Sequence, residues 1–155
     1  MRINVRGFIV STLMTVPAIV LVLAVSVANG AIGQTTDGPV FKDYRGISIG
    51  MSADEVRAKL DGIKKGKAQD FVTFSDRESA QIYYDDNNKV TAISIDYFGA
   101  DSNAPSPDTV LGAAPQAKAD GSLYQLNRYP QAGFWVSYNR TAGDKPIVTI
   151  TMQKM

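Results

Sequence analysis

The sequence predicts an α+β domain in which short helices cover one face of an antiparallel sheet. Three observations carry this prediction. A capped helix start, Ser52-Ala53-Asp54-Glu55, follows an extended lead-in. Beyond Phe71, apolar residues recur at every second position in six separate runs. The order of one helix and three strands then occurs twice, which predicts two half-repeats at about 46–99 and 104–155.

The chain opens with Arg2 and Arg6, followed by the 21 uncharged residues from Phe8 to Ala28. Pro17 splits this run, and the stretch after it has the length of a signal-peptide h-region, with small residues at Ser26, Ala28, Gly30, Ala31 and Gly33 suited to a cleavage site. Residues 1–33 are therefore expected to be a signal peptide or, if uncleaved, an N-terminal anchor, because 21 helical residues reach across a hydrocarbon core of about 30 Å. With the arginines held inside, both alternatives export the rest: periplasmic or secreted in one case, membrane-anchored with the domain outside in the other. Residues 34–43, with Gly38 and Pro39, read as a flexible linker, and 44–155 as one domain.

Gly46-Ile47-Ser48-Ile49 alternates and is expected to be a short extended segment leading to Gly50. In the helix that follows, the Ser52 hydroxyl can accept from the Glu55 amide while the Glu55 carboxylate reaches back, and Asp54 and Glu55 favour the positive end of the helix dipole. Ala53, Val56 and Leu60 form its apolar stripe, and Asp61-Gly62 is the expected left-handed stop. Strands are expected at Phe71–Ser75, Ala80–Tyr84 and Val90–Phe98, with Ile93, Ile95 and Tyr97 on one face. Asp85-Asp86-Asn87-Asn88 lacks the central Gly and later Glu of a calcium loop and reads as a hairpin turn.

A break at Ala100–Pro107 precedes the second copy. Ser106-Pro107 stands where Ser52-Ala53 stood, and Gly112 and Pro115 limit the helix to about one turn. Strands are then expected at Leu123–Tyr129, Gly133–Tyr138 and Ile147–Met152.

Composition narrows the chemistry. There are 16 basic and 15 acidic residues, and the only basic run, Lys64-Lys65-Gly66-Lys67, reads as a solvated loop, so nucleic acid is not an expected partner. The absence of Cys and His removes disulfides, thiol nucleophiles, the commonest metal ligands and any Ser-His-Asp or Cys-His catalytic set. No catalytic residues, cofactor or metal are assigned. What remains as an enzymatic alternative is a small extracytoplasmic hydrolase using carboxylates such as Asp85 and Asp96, or a Ser-Lys pair.

Gly50-Met51-Ser52-Ala53-Asp54-Glu55-Val56, with Leu60 and Gly62, resembles the repeat opening of two exported groups: the β-lactamase inhibitory protein family and the small lipoproteins of the β-barrel assembly machinery (the SmpA/OmlA group). The likeness covers about a dozen residues and the element order. It departs from the lipoproteins in having no lipid-acceptor Cys, from the inhibitory proteins in having no disulfides, and from both in Asp61 between Leu60 and Gly62. The resemblance implies an exported α+β module whose free sheet face or loops meet a partner.

The segment Arg128–Arg140 holds the only Trp, three further aromatics and two Arg, residue types enriched at binding hot spots. Phe134, Val136 and Tyr138 alternate with Trp135, Ser137 and Asn139, so one set is core and the other is available. Arg128, Tyr129, Trp135 and Arg140 are the candidate binding residues. Asn139-Arg140-Thr141 also fits a glycosylation acceptor. The expected function is that of an exported, non-enzymatic binding or assembly module whose partner is a protein or another envelope component.

Overall fold

A computed structural model of the chain describes residues 38–155 together with a short strand at Ile32–Gln34. The apolar run Phe8–Ala28, and with it the choice between signal peptide and anchor, lies outside the described residues, as does part of the linker. Among the described residues, no helix is long and apolar enough to cross a membrane.

In chain order the elements are β1 (Ile32–Gln34), α1 (Ala53–Lys59), β2 (Lys64–Lys65), β3 (Gln69–Ser75), β4 (Glu78–Tyr84), β5 (Val90–Phe98), α2 (Pro107–Leu111), β6 (Leu123–Tyr129), β7 (Phe134–Arg140) and β8 (Ile147–Lys154). They form one sheet in the order β1-β6-β7-β8-β5-β4-β3-β2. All neighbours from β6 to β2 are antiparallel, and β1 joins the β6 edge in parallel. The described residues are mostly β, and their helices have only seven and five residues. The expected antiparallel sheet is present, and its two three-strand meanders meet at β5 and β8.

One face of this sheet is the core. Its central row across six strands runs Asp70, Ile82, Ile93, Met152, Val136, Asn127, and the next runs Val72, Ala80, Ile95, Ile150, Tyr138, Gln125. Apart from Gln125, every member of the two rows is buried. Ala53, Val56 and Leu60 from the first helical segment and Val110 and Leu111 from α2 join the same cluster, as the apolar stripe predicted for the first helix.

The ends of the central row are polar, and each is tied to a helix. Asp70 on β3 accepts from Arg57 of α1, and Asn127 on β6 donates from Nδ2 to the Leu111 carbonyl of α2 at 3.0 Å. Buried polar groups are tolerated only when bonded in this way, so each helix is pinned to the outer strand of its meander.

The N-terminus of α1 has both halves of the capping box: Glu55 N–H reaches Ser52 Oγ at 3.4 Å and Ser52 N–H reaches Glu55 Oε2 at 2.8 Å. Ser52 also donates its hydroxyl to Glu55, which holds that carboxyl below its usual range. The whole opening is fastened to the β4–β5 hairpin, with Gly50 N–H on Val90 O and Ala53 N–H on Asn88 O. Replacing Ser52 with alanine is expected to cost about 1 kcal/mol, read as a lower urea midpoint at unchanged slope; an unaltered midpoint would show that the hairpin bonds alone hold this turn.

Four local expectations change. Gly46–Ile49 is not a strand: Tyr44 and Ile47 bridge each other across Arg45 (φ 52) and Gly46 (φ 77), a tight turn with two left-handed central residues. The first helix ends through an extended Leu60 rather than a left-handed stop directly after it, and the positive φ of Gly62 (70) falls two residues later. Ser106 makes no capping bond to the backbone; its hydroxyl pairs with that of Thr109 at 2.8 Å. Lys64-Lys65, expected as loop, form the edge strand β2 because Gly66 turns the chain so closely over Gln69 that a Cβ there would lie 2.4 Å from the Gln69 carbonyl oxygen. Within the segment read as linker, Phe41 packs against the core. The Asp85–Asn88 turn is as expected, with Asn88 left-handed (φ 56) and the Asp85 carboxylate accepting from Asn87 and Lys89 amides.

Candidate functional site

The second sheet face carries the alternate residues. Between the register shifts at Thr73/Ser75 and Tyr83/Tyr84 the ladders stay in step, so three rows can be followed across it. The first is Arg128, Trp135, Gln153, Ala92, Tyr83, Gln69. The second is Leu126, Ser137, Thr151, Ser94, Gln81, Phe71, Lys64, and the third Tyr124, Asn139, Thr149, Asp96, Ser79, Thr73. Both helices and the packed loop residues Phe41, Met51 and Ala104 belong to the core cluster behind the sheet. Among the described residues, no helix covers this second face.

Its relief follows from side-chain size. The two central strands, β5 and β8, present Ala92, Ser94, Asp96, Thr149 and Thr151 along their middle, with Gln153 at one end and the exposed pair Phe98 and Ile147 at the other. The strands on either side present the aromatics, with Trp135 and Tyr124 on β7 and β6, and Tyr83 and Phe71 on β4 and β3. Trp135 and Tyr83 stand in one row three ladder spacings apart, about 14 Å. The face is thus a shallow trough along β5 and β8, with aromatic banks. Tyr83 donates its hydroxyl to Gln81 Oε1 at 2.7 Å, and Thr149 donates to Asp96 Oδ1 at 2.7 Å. Charge is sparse: Asp96 in the floor, Arg128 and Lys64 toward the edges.

Two of the four sequence-derived binding residues come together here. Trp135 is half-buried on the trough bank, and Arg128, exposed, is its direct partner across the β6–β7 ladder. The other two are displaced by strand alternation. Tyr129 is buried on the core face, its ring tilted against Phe134 at 6.0 Å. Arg140 has the parity of Val136 and Tyr138, so it leaves the sheet on the side opposite Trp135, where its guanidinium donates to the Gly121 carbonyl at 3.2 Å. Asn139 lies within β7, paired with Tyr124 and Thr149, rather than in a turn. Sequence reasoning did not name Tyr83 or Phe71 for this face and named Asp96 only for a hydrolase; the register of the finished sheet puts all three on the face of Trp135, with Tyr83 in its row.

The groups named for a hydrolase do not converge. Asp85 closes the hairpin at the start of β5, whereas Asp96 lies six positions along that strand, about 20 Å away. Ser52 bridges Lys89 through the backbone, but its hydroxyl is engaged by Glu55 and not by an amine.

Two further polar clusters sit on the core side. Asp70 is fully buried; burial works against its charge, yet the bidentate Arg57 (2.8 and 3.0 Å), the Tyr84 hydroxyl (2.9 Å) and the Gly66 amide (3.2 Å) hold its carboxyl below the usual range. Burial and then the bond to Asp70 push the Tyr84 hydroxyl well above its ordinary value. At the other end of β4, Glu78 accepts from Tyr44 at 2.6 Å and pairs with Arg45 at 2.9 Å, while the Arg45 guanidinium lies 4.1 Å from the Phe74 ring centre. Burial first and Glu78 second raise the neighbouring Tyr97 to about 12. Every partner is satisfied within each cluster, so both act as fastenings of the fold.

No protein-family model, curated protein or solved structure matches this chain.

Proposed function

We propose that this protein is an exported binding module that recognises an envelope component through the uncovered sheet face, with Trp135 and Arg128 at its centre of affinity and no catalytic step of its own. The observation that carries the reading is the division of the sheet. All large buried residues, both helices and both fastening clusters lie on one face, while the other presents the Trp135–Arg128 register pair and a shallow trough beside aromatic banks. Aromatic and Arg side chains in such a setting supply most of the energy of recognition. Export is supported by Arg2 and Arg6 ahead of the apolar run Phe8–Ala28, with signal-peptide cleavage favoured and an N-terminal anchor as the alternative.

The reading includes an α+β duplication. It is supported by the meeting of two meanders at β5 and β8, by Ser52/Ser106 and Val56/Val110 standing 54 positions apart, and by a buried polar residue tying a helix to each outer strand. These features also favour the likeness to the β-lactamase inhibitory protein and SmpA/OmlA groups, in which a helix-opened repeat feeds an antiparallel sheet.

The test is crosslinking in living cells. A photoreactive phenylalanine analogue in place of Thr151 is expected to give an extracytoplasmic adduct, and the same analogue in place of Asp61, behind the sheet, none. Trp135→Ala should lower the Thr151 yield at least tenfold. Equal yields from the two faces, or an adduct indifferent to Trp135, would remove this face from the function.

A further inference from the structure

The uncovered face is apolar beyond its aromatic banks. Of the five exposed large hydrophobic residues among those described, Tyr124, Phe98 and Ile147 belong to it, the last two paired with each other across the β5–β8 ladder. Exposed apolar residues gathered on one face mark a surface that meets a partner.

Symmetry selects that partner. The six strands from β6 to β3 divide evenly at the β5–β8 ladder, three on each side. A second copy laid face to face, turned about a two-fold axis parallel to the strands over that ladder, sets β6 on β3, β7 on β4 and β8 on β5, row for row. The registers then decide whether the contacts fit. Trp135 meets Tyr83 of the second copy in the first row, Leu126 meets Phe71 in the second, and Ile147 meets Phe98 at the open end. In the same arrangement Asp96 meets Thr149 and Arg128 meets Gln69, so neither charge of these rows faces its own sign. A two-fold axis across the strands at the second row does not achieve this. It would set Trp135 on Asn139 and Asp96 on Ala92, and would leave Phe98 and Ile147 beyond the first row of the second copy.

The size of the contact fits a pair that opens. Aligned sheets pack about 10 Å apart, and strand and residue spacings make the face roughly 25 Å by 20 Å. Two such faces together hide about 1,000 Å², the lower limit of a specific interface, and the polar floors laid over each other hold water between them. A contact this small yields by mass action to a ligand that binds the same face more tightly.

Resting on the binding-module reading above, we propose that a second copy of this chain occupies the uncovered face whenever the envelope component does not, through a two-fold contact about the β5–β8 ladder that sets Trp135 on Tyr83, so that dissociation of the pair exposes the binding face.

Sedimentation equilibrium of the purified exported protein is expected to show a reversible monomer–dimer equilibrium, weakened at least tenfold by Trp135→Ala. A charge swap tests the axis itself. Gln69 and Arg128 are both exposed and stand at opposite ends of one row, about 24 Å apart. That exceeds a screening length of about 8 Å, so charges at these two positions couple only between copies. Gln69→Lys, which faces Arg128 across the axis, should weaken the dimer several-fold, and adding Arg128→Glu should restore it, with the melting temperature nearly unchanged in both. A monomer at every concentration, or a double variant no better than Gln69→Lys alone, would overturn the pair. A Thr151 adduct to another protein in cells, with the purified chain strictly monomeric, would overturn the pair and leave the binding module standing. A dimer whose only adduct in cells is a second copy would support the pair and remove the envelope component; a monomer without any adduct would remove both.

Discussion

Arg57→Ala is expected to lower stability by about 3–5 kcal/mol, at the lower end of that span. The substitution leaves a carboxylate whose side chain is fully buried facing no cation. Tyr84 and Gly66 still donate to it, which is why the loss should not reach the top of the range. The sign of the pH dependence follows from the lowered carboxyl of Asp70. A group held below its unfolded value, ~3.9 for Asp, contributes its full stabilisation above that value and loses it as pH falls through the folded value. The wild type should therefore lose stability into acid. In Arg57→Ala the carboxylate is a liability that protonation relieves, so the difference between the two proteins should narrow below about pH 4. Urea unfolding between pH 7 and 3 measures this, and a constant difference across the range would show that Asp70 does not depend on Arg57 for its charge.

Ile95→Ala should cost about 2–5 kcal/mol. Ile95 is fully buried, stands between Ala80 and Ile150 in its row, and belongs to the ladder that joins the two meanders. Neighbours with backbones fixed by ladders on both sides cannot close into the space it leaves, so the cavity persists and adds to the lost transfer energy. Ile95→Val should cost only about 0.5–1.5 kcal/mol. Both are read from urea midpoints at constant slope. A valine variant as unstable as the alanine one would point to a shape constraint rather than to lost volume.

Much of the sheet was legible because its strands are half-buried and alternate strictly. Val90–Phe98 and the Phe134/Trp135 division could be assigned to faces from period two alone. The α1 start was legible because the Ser52–Glu55 cap is local, spanning three positions. Asp70 was not: a charged residue beside Gln69 reads as solvent-facing until Arg57, on another element, is known to lie over it. Nor was β2, since two lysines carry no strand signal and only the close turn at Gly66 places them. Tyr129 and Arg140 failed as companions of Trp135 for a simpler reason. Closeness in sequence is not closeness on a surface, because the pleat sends neighbours to opposite sides. The same pleat brought in Tyr83, 52 positions away in sequence but in the same row.

The strand order also sets when the molecule can come into being. In the finished sheet β5 is flanked by β4 and β8, and Ile95 finds Ile150 only 55 positions later. As the chain emerges, the first meander can form with its β5 edge bare, and that edge is closed by the last strand to appear. Such late, long-range pairing places folding among the slower small domains, in the millisecond-to-second range. Until Ile147–Lys154 has arrived, the β5 edge is open to strands of other molecules. The eight residues of β8 are thus the clasp of the sheet, for without them β5 and β7 each keep a bare edge and the two meanders stay apart.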